Sequence, residues 1–216
     1  MNGITELVFI LDRSGSMCGL ESDTIGGFNA MLEKQRQSGS SILISTVLFS
    51  NESKVLHDRC PIPEVSALTE KDYEVGGCTA LLDAIGGAVK HIRKVHRYIR
   101  SEDVPARTLF VITTDGMENA SHRFTAEQVR SLIEEQKARG WEFLFLGANI
   151  DAVETARCFG IGENRASNYM NDSRGLKKTY ESVAMACCCF AADGDIGDAW
   201  DDEVRRDHEK RSGRSS

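Results

Sequence analysis

Residues 6–17 read ELVFILDRSGSM. The apolar run ELVFIL (6–11) has the length and composition of a strand buried on both faces. It is followed without a spacer by an acid and two hydroxyls at alternate positions, Asp12, Ser14 and Ser16. A turn accounts for polar residues at a strand end but not for their even spacing. With Gly15 supplying backbone freedom, one turn can aim all three oxygens at a single point.

The rest of the chain repeats the strand with different sequences at its carboxyl end. SILISTVLFS (41–50), RTLFVITTD (107–115) and WEFLFLGAN (141–149) are further apolar strand candidates. SKVLHDRCPI (53–62) is a weaker one, and Pro61 and Pro63 suit it to an edge; RASNYM (165–170) is a last short one. Amphipathic stretches lie between them. SDTIGGFNAMLEKQRQ (22–37) places Ile25, Phe28 and Leu32 on one helical face, with Ser22 or Asp23 as its N-cap. The helix from Thr79 carries Leu82, Ile85, Val89, Ile92 and Ile99 in one stripe. Thr125 and Gln128 form a capping box for the next, DAVETARCFG (151–160) is a short helix, and KKTYESVAMACCCFAA (177–192) belongs to the last.

Strands alternating with helices predict a parallel sheet covered on both faces, and right-handed crossovers make it a doubly wound α/β domain. No repeat or linker divides the chain, so residues 1–192 are expected to form one domain. The remainder, 193–216, is charged and nearly free of large apolar residues, which predicts a frayed or disordered tail. Its stretch DGDIGDAWDDEV lacks the glycine and the final glutamate of a calcium loop.

Bulk composition narrows the function. The chain has 216 residues, 41% hydrophobic and 27% charged, with a net charge of −7. These are the proportions of a soluble globular protein, and the negative balance favours neither nucleic acid nor an anionic membrane as partner. No apolar run approaches the roughly 20 residues that span a bilayer. The N-terminus has no basic flank and leads straight into the first strand, so no signal peptide is expected and the location is expected to be cytoplasmic. Seven cysteines, an odd number with no C-x-x-C pair, agree with that. Cys187, Cys188 and Cys189 point about 100° apart on a helix and cannot converge on one ion, so they read as buried thiols. His91 and His96 read as residues of an exposed helix flank. The pairs Gly26-Gly27 and Gly86-Gly87 suggest close packing against the sheet.

In a doubly wound sheet of order 3-2-1-4-5-6, ligands bind where the winding reverses, beyond the carboxyl ends of the strands. The strands ending at Asp12 and Asp115 are neighbours at that point, and GGCT (76–79) brings Thr79 to the same rim. Two carboxylates and three hydroxyls (Asp12, Asp115, Ser14, Ser16, Thr79) form an all-oxygen set that suits Mg²⁺, with Mn²⁺ or Ca²⁺ as alternatives, and argues against zinc or copper.

In order and spacing, DRSGSM (12–17), GGCTALLDAI (76–85) and TTDGMENAS (113–121) resemble the von Willebrand factor A domain family, as a stand-alone bacterial member with an intact metal-ion-dependent adhesion site. The likeness runs over about residues 4–192. It implies a Rossmann-like fold and a non-enzymatic, metal-dependent protein-binding module. Mg²⁺ would be bound directly by the Ser14 and Ser16 hydroxyls, directly or through water by Thr79, and mainly through water by Asp12 and Asp115. A Glu or Asp carboxylate from a partner protein would complete the shell. Arg13, Met17, Leu20, Met117 and Asn119 would form the rim that sets partner choice. The alternative is a Mg²⁺-dependent phosphohydrolase with Asp12 as nucleophile. Ser14 stands where such enzymes of the haloacid dehalogenase type place a second acid, and a hydroxyl cannot serve as general acid and base at neutral pH.

Overall fold

The computed structural model describes residues 3–213. The first apolar run forms β1 (Thr5–Asp12), with all eight residues buried. Then come β2 (Ile42–Phe49), β3 (Ser53–Pro61), β4 (Arg107–Thr114), β5 (Glu142–Gly147) and β6 (Ala166–Asn168). They make one sheet of order β3-β2-β1-β4-β5-β6. All neighbours are parallel except β3, which returns antiparallel along the edge of β2. The result is a doubly wound α/β architecture, with the winding reversing between β1 and β4.

The continuous apolar character of β1 reflects its two covered faces. Leu7, Phe9 and Leu11 join the core under α1 (Glu21–Gln37) and α5 (Ser173–Asp193). Val8 and Ile10 join the opposite core, under α2 (Leu81–Tyr98), α3 (Ala126–Lys137) and α4 (Ala152–Cys158). The capping box expected at Thr125 and Gln128 is formed.

Several expectations need correction. α1 begins at Glu21, so Ser22 and Asp23 lie inside its first turn; the Glu21 carboxylate instead accepts from the Gly19 amide at 2.8 Å. α2 begins at Leu81, two residues later than expected, which leaves Thr79 on the loop ahead of the helix. The glycine pairs relieve contacts other than with the sheet. A Cβ on Gly27 would lie 2.3 Å from the Tyr180 ring of α5, and one on Gly86 would lie 2.6 Å from the Phe124 ring, whereas Gly26 and Gly87 face open space. Of the three adjacent cysteines, Cys187 is buried, Cys188 half-buried and Cys189 exposed, as an amphipathic helix dictates.

The acidic tail is the largest correction. Ile196, Trp200 and Val204 are buried against the α5 side of the core, and residues Asp202–Ser212 form a helix, α6. The Trp200 indole donates to the Asn164 carbonyl at 2.9 Å, and Arg211 bridges Asp172 and Asp207. Three apolar anchors four residues apart suffice to dock this segment, and an average over its many charges hides them. Residues 214–216 of that expected tail lie outside the described residues, as do Met1 and Asn2.

Candidate metal centre

Register decides the site. Leu11 of β1 pairs with Thr113 of β4, so Asp12 and Asp115 emerge on one rim at adjacent strand ends. Asp12 is 2% exposed and Asp115 1%. The Asp12 carboxylate accepts from the Ser14 amide at 2.7 Å and from the Thr114 hydroxyl at 2.6 Å. The first bond curls the chain so that the next two hydroxyls turn back over the strand end. The Tyr73 hydroxyl fixes the same turn from below by donating to the Asp12 carbonyl.

Ser14 Oγ and Ser16 Oγ then lie 3.1 Å apart. Ser16 Oγ donates to Asp115 Oδ1 at 2.5 Å, and Asn171 Nδ2 donates to Asp115 Oδ2 at 3.0 Å. Thr79 arrives on a separate loop, sewn to the first by Gly15 N–H to Gly77 O at 3.0 Å and Gly76 N–H to Arg13 O at 2.9 Å. Asn119 grips the Thr79 backbone on both sides, its Oδ1 accepting from Thr79 N–H and its own N–H donating to Thr79 O. Gly77 takes a left-handed φ of 82° in this close approach. A Cβ on Gly116 would lie 3.3 Å from Thr79 Oγ1 and 3.5 Å from Ser16 Oγ, so the two hydroxyls border one spot. All five oxygen-bearing residues named from the sequence are therefore brought together.

The electrostatics are unbalanced. Burial pushes the carboxyls of both Asp12 and Asp115 above the usual carboxylate range, and for Asp12 the charge of Asp115 adds to the effect. Among the described residues, no Lys, Arg or His forms an ion pair with either acid. Arg13 is committed elsewhere, donating to the Glu74 carbonyl at 3.1 Å. Two buried acids and three hydroxyls without a counter-charge fit a hard divalent cation. Neither oxygen of Asp12 is left without a hydrogen bond, which suits an orienting role better than nucleophilic attack.

A pH experiment checks this imbalance. In chelator, a carboxyl raised in the folded state binds its proton before the unfolded chain does as pH falls. Stability owed to the pair therefore grows as pH drops through the folded pKa, and is complete below the ordinary carboxylate range. Asp115→Asn removes one charge, so it is expected to be more stable than wild type near about pH 7, with the advantage fading toward about pH 4. A constant difference in Tm across that range refutes the assignment.

The sequence reading missed the residues that hold the donors in place. Thr114 was visible as the second threonine of VITTD. Asn171 and Tyr73 were not, because each lies far along the chain from the acid it serves. Of the expected rim, Met117 is 73% exposed, but Met17 is 3% exposed and belongs to the packing beneath.

No protein-family model matches the sequence, and no curated protein does. Solved structures do. The von Willebrand factor domain of the type V pili tip protein Mfa5 from Porphyromonas gingivalis superposes with a TM-score of 0.65 at 12% identity, covering 90% of this chain and 98% of that one. The PilB minor pilin from Streptococcus sanguinis gives 0.64 at 11% identity over 85% of this chain. Proximal thread matrix protein 1 from the mussel byssus, in a structure with a zinc occupied MIDAS motif, gives 0.57 at 14% over 86%. The chain spans 61% of the pilin and 46% of the byssus protein. At such identities the likeness speaks for architecture: the chain has the fold of the von Willebrand factor A domains.

Proposed function

We propose that this protein is a metal-dependent protein-binding module. Asp12, Ser14, Ser16, Thr79 and Asp115 hold a divalent cation at the carboxyl end of the sheet, and a partner's Glu or Asp carboxylate completes its shell. The observation that carries the reading is the convergence of these oxygen donors around two buried acids that form no ion pair among the described residues. Mg²⁺ suits a hard set of hydroxyls and carboxylates, with Mn²⁺ or Ca²⁺ as substitutes. A cation held by hydroxyls, with carboxylates at one remove, stays under-neutralised and attracts an incoming anion.

The pilus and byssus proteins among the structural neighbours support a role in protein contacts, and none of the three bears the name of an enzyme. Seven cysteines, unpaired in the structure, support a reducing, cytoplasmic place of work. The test is capture of partners from native lysate on immobilised protein, with Mg²⁺ or with chelator. Bands lost in chelator, restored by Mn²⁺ and absent with a folded Ser14→Ala variant are expected. Capture that is indifferent to chelator and to Ser14→Ala overturns the proposal.

A further inference from the structure

The pole opposite the metal centre, at the N-terminal ends of β4 and β5, holds a cleft of about 780 Å³ between α2 and α3. Its charge is one-sided. Lys94, Arg97, Arg93 and Arg139 line it, with Lys90 at one side over the Phe124 ring. Glu135 is the acid that lines it, and it is shared by Arg93 at 2.8 Å and Arg139 at 2.9 Å. His96 also faces the cleft but is spoken for by Glu6 behind it, which Arg59 holds as well. Cations near helix C-termini ordinarily complement the helix dipole. Two helix ends at roughly −0.5 each, with Glu135, offset about two of these charges and leave about three. Lys94 and Arg97 form no ion pair among the described residues. This is an uncompensated basic cleft on a chain of net charge −7.

A second observation points to a ligand. Gln136, in the wall of the cleft, is 0% exposed, and both Nε2 and Oε1 lack a hydrogen-bond partner. Unpaired buried amides are rare because each forfeits its bonds to water. Gln35 of α1 is equally buried, yet its Nε2 donates to the Ala184 carbonyl at 3.0 Å. Gln136 thus keeps an unpaired donor and an unpaired acceptor buried in the lining of the cleft, behind its cations. The volume lies within the range of small-molecule sites.

We propose that this cleft binds a small phosphorylated ligand of nucleotide type. Arg97, Lys94 and Arg93 hold the phosphate, for which guanidinium forks are the fitting donors. The Gln136 amide pairs with a donor–acceptor edge such as a nucleobase presents. The recessed position between two helices favours a soluble molecule over a lipid headgroup.

The experiment is titration calorimetry in chelator, which silences the metal centre and separates failure here from failure of the function proposed above. AMP and pyrophosphate are the probes. Wild type is expected to bind AMP with a Kd below about 1 mM. The double variant Lys94→Ala/Arg97→Ala weakens both probes by about tenfold or more. Gln136→Leu weakens AMP by about tenfold and leaves pyrophosphate within about twofold. Its Tm without ligand is expected to be unchanged or higher, because an unpaired amide is gone. Absence of heat with either probe, or AMP affinity indifferent to both variants, overturns the proposal. So does protein sedimenting with phosphatidylserine vesicles while binding neither probe, which assigns the charge to a membrane surface.

Discussion

Mg²⁺ at about one hundred times its Kd is expected to stabilise the wild-type protein by about 2.7 kcal/mol. For a chain of this size that raises Tm by about 5–10 °C. The gain comes from binding to the folded state alone, because the five donors lie on three loops separated by up to a hundred residues and meet only when the sheet forms. Asp115→Ala and Ser14→Ala should each abolish most of the rise, but their behaviour in chelator should differ. Asp115 is buried with its carboxyl held above the usual range, so its loss relieves a desolvated charge, and the Asp115→Ala protein should match or exceed wild type without metal. Ser14→Ala removes a hydroxyl that touches Ser16 and should be near neutral there. Metal response and metal-free stability therefore separate, which a general loss of folding cannot imitate. A thermal shift with Mg²⁺ that is absent in wild type, or equal in Asp115→Ala, removes the metal centre.

The strands were legible in the sequence because a run buried on both faces has no alternation, which is a local pattern. Their order is the common one of a doubly wound sheet, and once it is taken the strand ends that carry Asp12 and Asp115 fall side by side. The features that escaped depend on pairs distant in sequence. Asn171 reaches Asp115 across 56 positions and Tyr73 reaches Asp12 across 61; no periodicity encodes either. The docking of α6 escaped because Trp200 is a single large side chain in a charged segment, and its burial rests on a space left by α5. The glycines misled in a related way. Gly27 and Gly86 do mark close approach, but to Tyr180 and Phe124, partners that become visible only once helices and loops are in place.

His96 does not lie on an exposed flank, because it turns in toward Glu6. Glu6, the first residue of the apolar run, is 0% exposed. Its carboxylate is held by Arg59 Nε at 2.6 Å and His96 Nε2 at 2.5 Å, with His96 packed edge-on against Trp141. Breaking a buried pair by removing one partner commonly costs about 3–5 kcal/mol, because the other charge is left without compensation. Arg59→Ala is expected to lower Tm by about 10 °C. The loss should not be additive with that of Glu6. In the double variant Glu6→Leu/Arg59→Ala the stranded charge is gone, and replacing buried ion pairs with apolar side chains is often neutral or stabilising. Most of the lost stability should therefore return, with a coupling of about 2 kcal/mol or more in the double-mutant cycle. Arg59 also holds a left-handed φ of 52°, with its amide donating to Ser45 Oγ at 3.0 Å. Alanine keeps that backbone requirement in both backgrounds, so it cancels from the cycle. Additive losses would mean that Arg59 acts through the edge strand alone and that Glu6 is satisfied by His96.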